Sequence, residues 1–248
     1  MGHFIPNKIR FAGVKEWIFR VTGFFFSLLS LGCGIILANS RYWRLWEFDD
    51  KVVQLVYIGL WEAYYNWQCN VSDTEIIIPV HSPVNSTWTI SPEFRCARNL
   101  ILLAMLIKPV VVIFSSAAIR VSIIKASIPE IQIVCYKISV LILIFSSLCT
   151  IISVTWNHVV EFYGETILDF PPTFPVKKEA LIRKYSTHVF PLGLLTTTLS
   201  LFGVIMFLFE ISSLKIQKKL NAYHASKRAD DRPINEGSVI CKMCQENA

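Results

Sequence analysis

Five histidines, seven cysteines and two carboxylates near one imidazole are the side chains of this 248-residue chain with types suited to bond chemistry. His3, His81, His158, His188 and His224 fall in tails, loops and a helix end, and no His-Glu-x-x-His, Gly-x-Ser-x-Gly or phosphate-loop pattern contains any of them. Glu161 and Glu165 stand near His158 and imitate an acid–base cluster, but their surroundings define no pocket. Cys241-Lys242-Met243-Cys244 has the spacing of half a zinc site, and no second Cys or His pair follows. The expectation is a chain that is not an enzyme and uses no metal, cofactor or small-molecule substrate.

The elements that must carry these residues are set by hydropathy. Apolar residues make up 53% of the chain and charged ones only 17%. Four apolar blocks, at about Trp17–Ala38, Leu100–Ile119, Ile138–Trp156 and Val189–Phe209, each approach the roughly 20 residues that span hydrocarbon as a helix. The fold class expected is a membrane-embedded four-helix bundle. The first block is longer than a signal-peptide core, lies behind a mixed leader, and ends in only a loose cleavage-site match at Ala38-Asn39-Ser40, so it is expected to stay as a span.

Lys and Arg set the orientation. Lys8, Arg10 and Lys15 precede the first block, Arg120, Lys125 and Lys137 lie between the second and third, and Lys215, Lys218, Lys219, Lys227, Arg228 and Arg232 follow the fourth. The positive-inside rule puts all three groups, and so both termini, in the cytoplasm. Residues 211–248 form a cytoplasmic tail, expected to be disordered beyond a short helical extension. The net charge of +6 belongs to flanks that face anionic lipid, and no basic stripe with interleaved aromatics suggests nucleic acid.

Two segments then face outward, at about 39–98 and 157–188. The first holds the sequons Asn70-Val71-Ser72 and Asn85-Ser86-Thr87 as glycosylation candidates. It also holds Cys69 and Cys96, the two cysteines on the oxidising side. If a disulfide forms, it joins these two; a pair of free thiols is the alternative. Tyr42–Phe48, Val52–Leu60 and Thr74–Val80, with Ser86–Ile90 as a shorter candidate, have the β-branched and aromatic content of strands, and Asp49-Asp50, Asn70–Asp73 and Ser82–Asn85 have turn chemistry between them. A small antiparallel sheet should stand on the bundle. Ser91-Pro92-Glu93 reads as the capped start of the second span.

Specific strings narrow this plan. Trp43-Arg44-Leu45 follows the first block, Gly59-Leu60-Trp61 places its Trp 18 residues after Trp43, Cys69 lies nearby, and Ala97-Arg98 leads into the second block. Trp156 closes the third block, Phe162-Tyr163 follows, and Lys178-Glu179-Ala180 precedes the fourth. A tetraspan chain with these strings resembles the claudin family, within the wider claudin and peripheral-myelin-protein superfamily, as a divergent member. The likeness covers about residues 15–210 in topology, with detail confined to the strings quoted. Claudins place their first loop cysteine three residues after the Gly-Leu-Trp tryptophan, where this chain has Tyr64, and the carboxyl-terminal Gln245-Glu246-Asn247-Ala248 lacks an apolar final residue. A relocated Cys69–Cys96 bridge and no carboxyl-terminal PDZ binding are what these departures suggest.

The resemblance implies a plasma-membrane, multi-pass protein at cell–cell junctions that contributes to a paracellular barrier or tight-junction-type adhesion. Its partners would be itself or other claudin-like proteins, within one membrane and across to the next. Sheets would pack edge to edge with neighbours while both loops meet the opposing cell. The alternative is a tetraspan auxiliary subunit that binds another membrane protein laterally. Trp43 and Trp61 are suited either to wedging the sheet onto helix ends, with Gly59 and Leu60 between strands, or to interfacial anchoring alone. Phe162 and Tyr163 either meet a facing cell or pack on the first-loop sheet. Between Arg41 and Arg98 seven acids face five bases, so a pore would lean towards cations, with Asp49, Asp50, Asp73 and Glu75 as the acids to watch. Lys108 lies within the second block beside Pro109, where a kink would let backbone carbonyls solvate its ammonium. Gly23 with Ser27, Ser30 with Gly34, and Thr196 with Ser200 supply small-residue pairs for helix packing, inside one chain or between chains.

Overall fold

A computed structural model describes residues 5–71, 74–84, 92–124, 129–163 and 174–230. Its long elements are α1 (Ile5–Ala38), α2 (Pro92–Ile123), α3 (Pro129–Tyr163) and α4 (Val189–Asp230), each containing a stretch long and apolar enough to cross a membrane. Every helix overruns the apolar block that announced it. Hydropathy marks only the part suited to hydrocarbon, whereas backbone hydrogen bonding carries a helix on until a breaker or a competing contact stops it. Pro92 and Pro129 sit at the first positions of α2 and α3, where a missing N–H costs nothing, and Glu93 and Glu130 occupy the positive ends.

The helices close into a ring, with α2 along α3, α3 along α4, α4 along α1 and α1 along α2. Small residues make the close approaches, and they do so within the chain. A Cβ on Gly23 would come 2.8 Å from the Phe207 ring, and one on Gly203 would come 3.3 Å from Ser27 Oγ. Ser30 Oγ lies 2.6 Å from Ser200 Oγ, joining α1 to α4.

At one end stands a five-stranded antiparallel sheet of β1 (Arg44–Phe48), β2 (Leu55–Ile58), β3 (Glu62–Val71), β4 (Thr74–Pro83) and β5 (Leu181–Tyr185), in the order β4-β3-β2-β1-β5. Two strands depart from expectation. β3 occupies a stretch whose exposed and buried residues do not alternate cleanly, so period-two reading passes over it. β5 comes from the segment before α4 that reads as loop in the sequence, and it completes the sheet beside β1. The strand expected over Val52–Leu60 stops at Ile58, because Gly59 begins the turn into β3. The short strand at Ser86–Ile90 and the cap at Ser91 lie outside the described residues.

The sheet's inner face is Trp46, Phe48, Val56, Ile58 and Ala63, all buried, and it meets Leu37, Phe94, Ile101, Val154 and Val189 from the four helix ends in one apolar core. A second core, built around Val111, Tyr136, Leu143, Phe207 and Leu214, fills the other end.

The outer strands differ in chemistry. Val84 donates its N–H to Trp61 O at 2.7 Å, and Gly59 donates to Glu62 O at 2.9 Å, so the even-numbered residues of β4 address β3 and the odd-numbered ones point away. Pro79 and Pro83 occupy two of those outward rungs and have no N–H to offer.

Candidate functional site

The seam between sheet and helices begins where α1 ends. The last carbonyls of a helix have no intrahelical donor, and here two tryptophans donate to them, with Ser40 N adding a longer bond to Leu37 O at 3.3 Å. Trp43 Nε1 donates to Leu37 O at 3.0 Å, and Trp61 Nε1 donates to Ala38 O at 2.9 Å. Trp43 is buried and packs edge-on against Phe94 of α2 at 6.4 Å, while Trp61 keeps its outer side in solvent. Leu60 between them is fully buried. Gly59 is required by backbone crowding, since a Cβ there would lie 3.0 Å from Ser40 O and 3.2 Å from Glu62 O.

Beneath this cap lies a buried ionic cluster. Arg44 is on the inner face of β1, in step with Trp46 and Phe48, and its Nε lies 3.0 Å from Glu161 Oε2. Trp46 Nε1 donates to Glu161 Oε1, and Lys184 Nζ donates to Glu161 O at 3.3 Å. Asn157, one turn back on α3, accepts from Arg44 Nη2 at 3.3 Å and donates its own Nδ2 to Trp43 O at 3.5 Å. The guanidinium stacks 4.8 Å over Phe94. Burial pushes the Arg44 pKa down from its ordinary value, and the facing carboxylates of Glu161 and Glu93 oppose that shift. One α3 carboxylate therefore holds β1 directly and β5 through its own backbone.

In the sequence Arg44 is one residue of a short string, and nothing local marks Trp46, Asn157 or Lys184. The available signal was the alternation of β1, which puts Arg44 on the face that must be buried and so calls for an acid. In the sequence Glu161 stands three residues from His158. In the structure His158 instead stacks on Phe190 at 4.4 Å, so those two make no acid–base pair; Glu165 lies outside the described residues.

The outer face of the sheet is aromatic. Cross-strand register aligns Tyr185, Leu45, Tyr57, Tyr64 and His81 in one row across all five strands. Tyr64 meets His81 edge-on at 4.7 Å, Tyr42 meets Tyr57 edge-on at 5.5 Å, and Arg41 lies 4.3 Å over the Tyr64 ring. Tyr64 Oη donates to Glu62, and Tyr185 Oη donates to Glu47 at 2.5 Å. Those bonds to carboxylates raise both phenol pKa values.

The remaining sequence candidates do not converge. Asp49 and Asp50 form the β1–β2 turn, where Asp50 accepts from Val52 N at 2.7 Å. Asn70 and Glu75 are cross-strand partners near the far end of the β3–β4 hairpin. Asp73 and Asn85 lie outside the described residues. Phe162 and Tyr163 end α3 instead of sitting in a loop; Tyr163 is 86% exposed and does not pack on its own sheet, and Phe162 tilts against His158 at 4.9 Å.

The bridge expected between Cys69 and Cys96 is not present. Both thiols are free. Cys69 faces Ile76 far along the hairpin, whereas Cys96 is in the first turns of α2, where Arg98 reaches to within 5.9 Å of the Trp61 ring. Cys69 lies seven residue steps along β3 from Glu62 at its base, about 23 Å of extended chain. A disulfide needs Cα atoms within about 7 Å.

Lys108 is buried in α2, which continues through Pro109, and its Nζ donates to Ser30 Oγ at 3.0 Å and Ser30 O at 3.3 Å. A backbone carbonyl does solvate the ammonium, but it comes from α1. Deeper, Arg20 pairs with Glu210 at 2.5 Å and donates to Ser122, linking α1, α4 and α2. Among the described residues no group of three His, Cys, Asp or Glu side chains could hold a metal. What the seam and the sheet provide is a platform tied to the helix ends, with tyrosines and a histidine on its outer surface.

No protein-family model matches the chain, and no curated protein matches it.

Proposed function

We propose that this chain is a claudin-like tetraspan protein of cell–cell contacts, with the sheet outside the plasma membrane, both termini in the cytoplasm, and a role in paracellular barrier or tight-junction-type adhesion. The observation that carries the reading is the donation of the Trp43 and Trp61 indoles to the last carbonyls of α1. It makes the resemblance strings structural: the tryptophans fix the loop sheet rigidly to the bundle, as a surface that meets another cell must be fixed. Copies would stand side by side in one membrane and meet copies opposite through the sheet and the exposed Phe162-Tyr163 end of α3. The test is expression in epithelial cells that lack claudins. Enrichment at contacts, intramembrane strands and raised layer resistance are expected; an even surface distribution with none of these overturns the proposal.

A second reading has one observation in its favour. A hollow of about 470 Å³ on α3, lined by Ile151, Ile152, Thr155, Trp156, Val159 and Val160, is almost wholly apolar. Such a hollow within a membrane suits a helix of another protein, as an auxiliary subunit would need. Retained co-purification of a second membrane protein that Ile152→Trp abolishes, in cells without junctional strands, would favour this reading over the first.

A further inference from the structure

We propose that the end of α4, through Ile216, Leu220 and Tyr223, is the docking site of an acidic protein that takes a helix into an apolar groove, of the class in which bound calcium opens that groove. The inference takes from the reading above only that this end of the bundle lies in the cytoplasm; adhesion plays no part in it.

α4 runs unbroken from Val189 to Asp230. Its 42 residues make a rod of about 63 Å, twice the roughly 30 Å of bilayer hydrocarbon. Leu214 is the last α4 side chain in the second core, and one turn further on Lys218 Nζ meets Glu130 Oε1 of α3 at 2.6 Å. Those two residues mark the side by which the bundle holds the helix. Ile216, Leu220 and Tyr223, at steps of four and three, lie together on the opposite side, and each is more than half exposed. Past Lys218 the helix continues to Asp230, about 18 Å beyond its contact with the head of α3.

Charge and geometry select the partner. From Ile211 to Ala229 the sequence carries Lys215, Lys218, Lys219, Lys227 and Arg228 and no acid. Lys218 is held by Glu130, whereas Lys215, Lys219 and Lys227 have no acidic partner among the described residues. An apolar stripe among cations fits an apolar groove rimmed by carboxylates, and anchors four and three residues apart are how a helix presents itself to such a groove. Two other surfaces share part of this chemistry, and the geometry disfavours both. An anionic bilayer would take the stripe only if the helix lay flat on it, yet α4 has no Gly or Pro after Gly203 at which the rod could turn. A second copy of the extension would set Lys219 and Lys227 beside their own counterparts along the stripe, and like charges repel there. Calcium sensors of the EF-hand type meet every requirement. Their acidic domains open a Met-rich groove when calcium binds, and methionine adapts to isoleucine, leucine and tyrosine alike. Docking would then follow the calcium level and hold an acidic domain beside the inner leaflet.

The experiment uses the full chain in phosphatidylcholine nanodiscs, whose two faces are both open, so neither orientation in a cell nor adhesion affects the outcome. The probe is fluorescently labelled calmodulin, with calcium or with a chelator, read by anisotropy. Saturable binding with a Kd of about 1 μM or tighter is expected in calcium, and none in chelator. Leu220→Ser and Tyr223→Ser should each weaken it about tenfold, whereas Ile77→Ser on the hairpin should leave it unchanged. Lys215→Gln combined with Lys219→Gln should weaken it about fivefold and flatten its salt dependence. Thermal unfolding of each variant is run alongside, and Ile216→Ser replaces any that melts below the parent. No binding in calcium, binding that survives the chelator, or equal binding by the parent and the folded Leu220→Ser variant overturns the proposal. Two rival occupants have their own signatures, and either one without calmodulin binding also overturns it. A dimer in the nanodisc that Leu220→Ser makes monomeric assigns the stripe to a second copy, and protection of Lys219 from trypsin when phosphatidylserine is added assigns it to the bilayer. The adhesion reading stands or falls by its own test in each case.

Discussion

Arg44 Nε sits 3.0 Å from Glu161 Oε2 with both side chains withdrawn from solvent, so a single ion pair joins the first strand of the sheet to the end of α3. Glu161→Ala would strand a buried guanidinium, and a loss of about 3–5 kcal/mol is expected in denaturant unfolding of the detergent-solubilised protein. Arg44→Met combined with Glu161→Met should cost less than the two single changes added together. A double-mutant cycle with coupling below about 0.5 kcal/mol would remove this pair from the account of the fold.

The tryptophan caps make a graded prediction. Trp43→Phe keeps the ring but leaves Leu37 O with only the longer bond from Ser40 N at 3.3 Å, and a loss of about 1 kcal/mol is expected. Trp61→Phe should cost less, because water can reach Ala38 O at the more exposed site. The same unfolding measurement checks both, and the reverse order would show that burial does not govern these caps.

Two glycines separate packing from propensity. A Cβ at Gly59 would press on backbone oxygens at 3.0 and 3.2 Å that cannot move cheaply, so Gly59→Ala should destabilise by about 1–3 kcal/mol. A Cβ at Gly32 would meet nothing within 4 Å, and Gly32→Ala in α1 should be neutral or stabilising by up to about 1 kcal/mol. Thermal unfolding of the pair, run side by side, decides the matter.

With Cys69 and Cys96 free, and with the sheet outside the cell as proposed, a membrane-impermeant maleimide should label both on intact cells without prior reduction. Cys69→Ser and Cys96→Ser should each remove one label. A gel-mobility shift on reduction that either substitution abolishes would instead establish the bridge.

Lys108 has no acidic partner among the described residues, and Ser30 is also held by Thr196 O at 3.2 Å and by Ser200. Replacing a buried, unpaired ammonium by an apolar chain of similar length should not destabilise, so Lys108→Met is expected to unfold at the same temperature or higher. A fall of several degrees would mean that the ammonium is worth more to the bundle than its desolvation costs.

The parts legible from sequence were those whose signal is local. Hydropathy located the four helices, and large amphipathic rings beside a predicted helix end pointed to the sheet–bundle seam through Trp43 and Trp61. β5 was not legible, because Leu181–Tyr185 becomes a strand only by pairing with β1, far away in the chain. The ionic cluster was hidden for the same reason: Glu161 has a histidine for a near neighbour in sequence and an arginine for its partner in space. The pairing of Cys69 with Cys96 rests on compartment alone, which says nothing of distance, and a long hairpin carries one free thiol away from the other.

Pro79 and Pro83 make the two edges of the sheet unequal. The β4 edge lacks donors at two outward rungs, while β5, the other outer strand, contains no proline. The β4 edge keeps outward donors only at Glu75, Ile77 and His81, so the β5 edge is the better template for an added strand.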